Sequence, residues 1–304
     1  MYALTVTRHR PEGIALREVA EPDPTPNQAV VAMRAFTINA YEPTLVATAP
    51  DGFVPGWDIA GEVARAPADG SGPAVGTCVV GSGDHSWAER VAVNAAGLAP
   101  LPDGVGFAAA ATLSVVGLTA LRTLRVGGAT LGRRVLVTAA TGGVGKYATQ
   151  LAYRAGAHVT VALRRPEAAA PLHALGADAA VPLDALGGPY DLVLESLGGD
   201  VLAAALQAVA PGGVVVTFGN GTRRPTTVNI TDFYLKHAAR LIAFVVQDSG
   251  RPYGRDLGYL ATLMADGRLI PPPIGHEANW RQIGDALAAI GAGTLSGKAI
   301  LYVD

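Results

Sequence analysis

The stretch Arg133-Arg134-Val135-Leu136-Val137-Thr138-Ala139-Ala140-Thr141-Gly142-Gly143-Val144-Gly145 decides the fold. Residues 135–138 are an apolar, β-branched-rich run, the composition of a buried strand. Small residues and glycines come next. Residues 146–154 then read as a helix, with Tyr147, Ala148 and Leu151 on one side. Strand, tight glycine turn and helix are the context that a dinucleotide-binding fingerprint requires. Set against G-x-G-x-x-G, the turn gives Ala140-x-Gly142-x-x-Gly145, with an alanine in the first glycine's place and Thr141, Gly143 and Val144 between. Gly142 and Gly143 let backbone approach a pyrophosphate, and the helix N-terminus offers free N–H groups and a positive dipole end. Gly145 allows the helix to pack close to the strand. Taken alone, the same turn also reads as an ordinary strand–helix connection.

Beyond the turn the chain repeats this pattern. Residues 158–163 read as a strand and residues 167–175 as a helix, and strand signals recur at 191–194, 214–217 and 241–246. Strands alternating with helices at this spacing predict a doubly wound parallel sheet. Dinucleotide sites that prefer NADH place an acid at the end of the second strand, about 20 residues past the fingerprint, for the ribose 2′-hydroxyl. Here that strand ends Ala162-Leu163-Arg164-Arg165-Pro166, with no carboxylate before Glu167. Two guanidiniums suit a 2′-phosphate, which favours NADPH. The alternative is that Arg164 and Arg165 are a solvated start to the next helix.

Composition narrows the classes. The chain has 304 residues, which favours two domains, and a net charge of −2, which points away from nucleic acid and other polyanions. Half of its residues are apolar, yet no apolar stretch of about 18 residues marks a transmembrane helix. The start, Met1-Tyr2-Ala3-Leu4-Thr5-Val6, reads directly as a strand without a signal peptide, so the cytoplasm is the expected compartment. Cys78 is the only cysteine, which excludes an intrachain disulfide and suggests a small core residue.

The first third is built differently. Short strand signals at residues 1–6, 14–19, 29–36, 61–65, 77–80 and 89–93 are separated by dense Pro and Gly, as in a compact antiparallel barrel. Residues 39–46 suggest one short helix, and residues 107–124 a longer one interrupted at Gly117. Near the other end, helices are expected at 257–264 and 280–290 and a last strand at 298–303. That strand must pair somewhere, and the first domain's sheet is the natural place. A nucleotide domain, residues 113–249, is then inserted in a discontinuous first domain, residues 1–112 plus 250–304, with the active-site cleft between them.

Several landmarks occur in a family's order: Ala35-Phe36-Thr37-Ile38-Asn39, then Pro55-Gly56-Trp57-Asp58-Ile59-Ala60-Gly61-Glu62-Val63 and Ala109-Ala110-Ala111-x-Leu113. Gly117-Leu118-Thr119-Ala120-Leu121, the glycine turn, Ala210-Pro211-Gly212-Gly213 and Gly297-Lys298 complete the order. Through nearly its whole length the sequence resembles the medium-chain dehydrogenase/reductase superfamily, in particular its zinc-independent quinone oxidoreductase branch. The resemblance implies a Rossmann doubly wound parallel sheet inserted in a GroES-like β-barrel domain. It also implies a homodimer and NADPH-dependent reduction of quinones, enones or related conjugated carbonyls. It adds Thr119, Gly219, Asn220, Phe244 and Lys298 to the cofactor-binding residues. The apolar stretch Leu241-Ile242-Ala243-Phe244-Val245-Val246, if it is the sheet edge, would be covered by a second copy.

Zinc-dependent relatives carry Gly-His-Glu where this chain has Gly56-Trp57-Asp58, and a cysteine near Asn39. A catalytic zinc needs three protein ligands, and none of the six histidines falls at these positions, so no metal is expected. Without metal, hydride transfer needs an oriented nicotinamide, a polarised acceptor oxygen and a proton source. Asn39 aligns with an asparagine that faces nicotinamide and substrate in the family; the alternative is a helix N-cap. The family's Asp and Tyr after this Asn are Glu42 and Thr44 here, with Tyr41 shifted, so Tyr41 is either a repositioned proton donor or a packing residue. Trp57 either lines the substrate pocket or is a buried barrel tryptophan. Tyr-x-x-x-Lys and Gly-x-Ser-x-Gly are absent, and Gly145-Lys146 is not followed by Ser or Thr. Two other functions stay open: a specialised enoyl or imine-type reductase of a biosynthetic pathway, and a redox-silent NADPH-binding protein.

Overall fold

The computed structural model describes residues 1–247 and 252–304. The chain divides into two compact units, Met1–Leu118 with Arg251–Asp304, and Thr119–Gly250. The boundary expected at 249/250 lies outside the described residues.

The first segment carries seven strands: β1 (Tyr2–Val6), β2 (Ile14–Glu18), β3 (Gln28–Ile38), β4 (Asp58–Arg65), β5 (Cys78–Ser82), β6 (Arg90–Asn94) and β7 (Leu98–Pro100). The second unit holds β8 (Arg134–Val137), β9 (His158–Leu163), β10 (Ala179–Pro182), β11 (Tyr190–Glu195), β12 (Val209–Thr217) and β13 (Arg240–Ala243). The chain then returns to the first unit with β14 (Ile274–Asn279) and β15 (Lys298–Tyr302).

In the first unit β1 and β2 form a hairpin, and the main sheet runs β14-β15-β3-β4-β5-β7, with β6 also on β3. The expected last strand does pair here: β15 lies antiparallel to β3, with Ala299 opposite Ile38 and Leu301 opposite Phe36. β14, parallel to β15, was not visible in the sequence, because Ile274-Gly275-His276 lacks an apolar run. The core combines Phe36, Ile59, Trp87, Trp280 and Leu301, all fully buried. Cys78 is not part of it. As the first residue of β5, before the buried Val79 and Val80, it is exposed, which corrects the expectation of a core thiol.

Past the barrel strands, helix Phe107–Ala111 gives way to a wide π turn at Leu113–Gly117 and then to helix Leu118–Gly127. Wide turns of this kind rearrange the backbone hydrogen bonds of the helix. Here the buried Ser114 hydroxyl donates to the Gly81 carbonyl at 2.6 Å, and the Val115 N–H turns to the Asp58 carboxylate.

All pairings in the second unit's sheet are parallel, in the order β10-β9-β8-β11-β12-β13. The order reverses between β8 and β11, the switch point beside which open α/β sheets bind their ligands. Helix Gly143–Arg154 buries Tyr147, Ala148 and Leu151, the face read from the sequence. The helix expected over 167–175 is only a 3-10 turn, Pro166–Ala168, followed by the short helix Ala170–His173. Pro171 has no N–H and a fixed φ, which confines it to a first helical turn, so the helix restarts there. No helix among the described residues is long and apolar enough to cross a membrane.

Candidate active site

In the second unit, every loop leaving the carboxyl end of the parallel sheet emerges on one side. Gly142 is the N-cap of helix Gly143–Arg154 and contributes no side-chain cap. A Cβ on Gly145 would lie 2.5 Å from both the Ala139 carbonyl oxygen and the Ala140 Cα, so only glycine fits where helix meets turn. Ala139 adopts φ +49°, and Ala140, in the first glycine's place, is fully buried. Thr141 is exposed and Gly143 and Val144 half-buried, with the helix N-terminus behind them. Arg164 and Arg165 are exposed at the end of β9, the strand next to β8. Gly219 and Asn220 follow β12, and Asn220 accepts from the Thr222 hydroxyl at 3.3 Å. Phe244 follows β13, its N–H donating to the Thr217 carbonyl at 2.8 Å and its ring buried. Thr119 is buried at the start of helix Leu118–Gly127. Glu195, unmarked in the sequence reading, closes the switch point. Its buried carboxylate accepts from the Leu197 N–H at 2.6 Å and the Gly198 N–H at 3.1 Å, and burial raises its pKa.

In the first unit, the end of β3, the start of β4 and the start of β15 bring Thr37, Asn39, Glu42, Asp58 and Lys298 into one buried cluster. Asn39 is not a helix cap. The helix it was expected to cap begins at Glu42 with Tyr41 as N-cap. The Asn39 amide nitrogen donates to Asp58 Oδ2 at 3.0 Å, and its amide oxygen accepts from Lys298 Nζ at 2.9 Å. The Lys298 ammonium also donates to the Ile38 carbonyl at 3.0 Å. The register that sets Ala299 opposite Ile38 delivers Lys298 to this place. Asp58 accepts further from the Thr37 hydroxyl and, at 2.9 Å, from the Val115 N–H released by the π turn. The Asn39 N–H donates to Glu42 Oε2 at 2.5 Å, while Glu42 Oε1 has no hydrogen-bond partner.

Burial dominates the electrostatics of this cluster. It drives the Glu42 pKa well above the ordinary value, and the neighbouring Asp58 carboxylate pushes the same way. It raises Asp58 as well, against the opposing pull of Lys298, Thr37 and Val115, and it lowers Lys298. Burial thus favours a neutral Glu42, while Asp58 and Lys298, joined through the Asn39 amide, attract each other and oppose the burial that shifts them.

Tyr41 and Trp57 lie outside the core. Tyr41 is 60% exposed and stacks on Trp57 with ring centroids 6.3 Å apart, so it packs at the surface and not in the core. Trp57 is half-buried, its indole N–H donating to Asp84 at 3.1 Å, so it is not a buried barrel tryptophan. The buried tryptophans are Trp87 and Trp280.

Zinc does not fit this place. The position of the relatives' first ligand is occupied by an indole, and Asp58 is engaged by three hydrogen-bond donors. No group of three His, Cys, Asp or Glu side chains among the described residues could hold a metal ion. A nicotinamide dinucleotide does fit the second unit, where the glycine turn leaves uncapped helix N–H groups at the switch point.

Because Glu42 is held neutral, folding takes up its proton. Between the unfolded value of 4.5 and the raised folded value, the unfolded chain binds fewer protons, so stability falls as pH rises. One proton sets a limit of about 1.4 kcal/mol per pH unit. Glu42→Gln is therefore expected to fold, and to lose less stability than wild type as pH rises from 5 to 8 in denaturant titrations. Identical pH slopes for the two proteins would show that Glu42 is ionised in the fold.

The zinc-binding dehydrogenase family matches residues 143–253, which span the turn and most of the second unit's sheet. The quinone oxidoreductase of Coxiella burnetii is 26% identical, with 100% of this chain and 99% of that one covered at a TM-score of 0.83. An alcohol dehydrogenase superfamily protein from Novosphingobium aromaticivorans is also 26% identical, with full coverage of both chains and a TM-score of 0.87. A mycobacterial protein solved in complex with NADPH is 24% identical, covers 99% of this chain and 100% of its own, and has a TM-score of 0.84. No curated protein matches the sequence. Fold, glycine turn and these matches define an oxidoreductase built on a Rossmann sheet. The matches liken the chain to the medium-chain dehydrogenase/reductase superfamily and are consistent with its quinone oxidoreductase-like branch.

Proposed function

We propose that the protein is a zinc-independent, cytoplasmic NADPH oxidoreductase that reduces a quinone, enone or related conjugated carbonyl. The observation that carries the reading is Asn39: its side chain caps no helix and is instead locked by Lys298 and Asp58. The cofactor, when bound, would supply a hydride, that is, two electrons and one proton. Gly142, Gly143 and the first N–H groups of helix Gly143–Arg154 would take the pyrophosphate, and Arg164 and Arg165 the 2′-phosphate. Asn39 would donate to the acceptor oxygen as negative charge develops there, and a proton from water completes the product. The exposed Tyr41 hydroxyl is a second candidate for delivering that proton. Steady-state NADPH oxidation with a panel of quinones and enones tests the reading. Turnover with at least one conjugated acceptor supports it, and NADPH binding without any turnover would instead favour a redox-silent protein.

The preference for NADPH rests on the two exposed arginines. Each charge-assisted contact to a phosphate is worth about 1.5–3 kcal/mol, so Arg164→Ala with Arg165→Ala is expected to weaken NADPH by tenfold or more and leave NADH nearly unchanged. Isothermal titration of both cofactors checks this, and equal affinities in the unmodified protein would refute it.

We propose further that the protein is a homodimer. β13 is the last strand of its sheet, and Leu241 and Val245 are 45% and 53% exposed beside it. An uncovered apolar edge invites pairing with a second copy. Light scattering at micromolar concentration is expected to give twice the 30.9 kDa chain mass, and a monomer mass would contradict the proposal.

A further inference from the structure

Lys298 was expected, from the resemblance, among the cofactor-binding residues. Its surroundings assign it other work. An asparagine amide has two ends of opposite polarity and similar shape, so its orientation is set by what faces each end. At Asn39 an ammonium faces the oxygen at 2.9 Å and a carboxylate oxygen faces the nitrogen at 3.0 Å. Turning the amide over would set two donors against each other at one end and two acceptors at the other. Both contacts are buried, where such mismatches are most costly.

The amide nitrogen carries two hydrogens, and Asp58 takes one. No second acceptor for Asn39 Nδ2 exists among the described residues, so one hydrogen remains for a ligand. The ammonium on the amide oxygen also draws electron density from the nitrogen and strengthens that remaining donor. Asp58 suits its part only as a carboxylate, because its two oxygens receive three donors: Thr37 and Asn39 on Oδ2, and Val115 on Oδ1. An asparagine there would turn an N–H toward a donor in either orientation. Glu42 holds the other end of the residue, through the Asn39 backbone N–H.

We propose that Lys298 and Asp58 are positioning residues that clamp the Asn39 amide in the one orientation that presents an N–H to the acceptor oxygen. The inference rests on the reading of Asn39 as the acceptor's hydrogen-bond donor, and the test separates the two. It uses the full-length protein labelled with [15N]asparagine. The chain has six asparagines, so Asn39→Ala identifies the Asn39 side-chain signals by difference. NADPH affinity and kcat are measured on the same preparations.

Lys298→Met is expected to shift the Asn39 side-chain signals and speed their hydrogen exchange. It should lower kcat at least tenfold and leave the NADPH Kd within twofold of wild type. Removing the ammonium alone strands a buried carboxylate and threatens folding. The double variant Lys298→Met with Asp58→Asn carries neither charge, and the same outcome is expected of it. Unchanged Asn39 signals in these variants would overturn the clamp. A raised NADPH Kd with unchanged kcat would also overturn it, by showing that Lys298 is a cofactor contact. If the wild-type protein turns over no conjugated acceptor, the functional reading fails, and the Asn39 signals still decide whether the clamp exists.

Discussion

Gly143→Asp is expected to abolish NADPH binding at micromolar concentrations while the protein stays folded. Gly143 opens helix Gly143–Arg154, behind an N-cap that offers no side-chain cap. Its N–H is one of the free groups that a pyrophosphate would take. A side chain there occupies the space of the phosphates, and a carboxylate adds repulsion between like charges. Two lost charge-assisted hydrogen bonds alone are worth about 3–6 kcal/mol, a hundredfold to ten-thousandfold in affinity. The same carboxylate, at the first position of a helix, interacts favourably with the dipole, by about 0.3–1 kcal/mol. The melting temperature should therefore hold or rise while binding disappears. Isothermal titration with NADPH, paired with a thermal melt, checks both halves. Normal binding by Gly143→Asp would mean that the turn is an ordinary strand–helix connection.

Asn39→Ala is expected to behave in the opposite way. NADPH should bind as in wild type, because Asn39 belongs to the first unit's buried cluster and not to the glycine turn. Turnover should fall by up to ~100-fold, the usual cost of one hydrogen-bond donor to a developing oxyanion. Some stability should be lost too, since Lys298 Nζ and Asp58 Oδ2 each lose a buried partner. Single-turnover kinetics at saturating NADPH separates the chemical step from binding. An unchanged single-turnover rate would remove Asn39 from the chemistry.

The two units differed in how far the sequence could be read. The nucleotide turn is local: strand, glycines and helix lie within about 20 consecutive residues, so periodicity and turn chemistry reveal them together. The side of the helix that is buried, the strands on either side of the turn and the exposed arginine pair were legible for the same reason. β10 was not, because Ala179-Ala180-Val181-Pro182 is only four residues long and offers one β-branched residue before a proline. The buried cluster of the first unit is non-local. Lys298 meets Asn39 across 259 positions, and only the β15–β3 register brings them together. Asp58 was legible merely as a replacement for a glutamate beside a missing zinc ligand, and its three donors come from β3, Asn39 and the π turn. Glu42 was legible only as the residue in the place of the family's Asp; its raised pKa comes from burial, and burial depends on the assembled barrel.

An enzyme that moves a hydride from NADPH to a conjugated acceptor without metal leaves an isotopic trace in its product. The most direct test traces deuterium from NADPH carrying deuterium at both nicotinamide C4 positions into the product of an enone acceptor, by mass spectrometry, with protein dialysed against a chelator. One deuterium is expected on the product's carbon skeleton, at a rate that zinc does not increase. Product without deuterium, or turnover that requires added zinc, would contradict it.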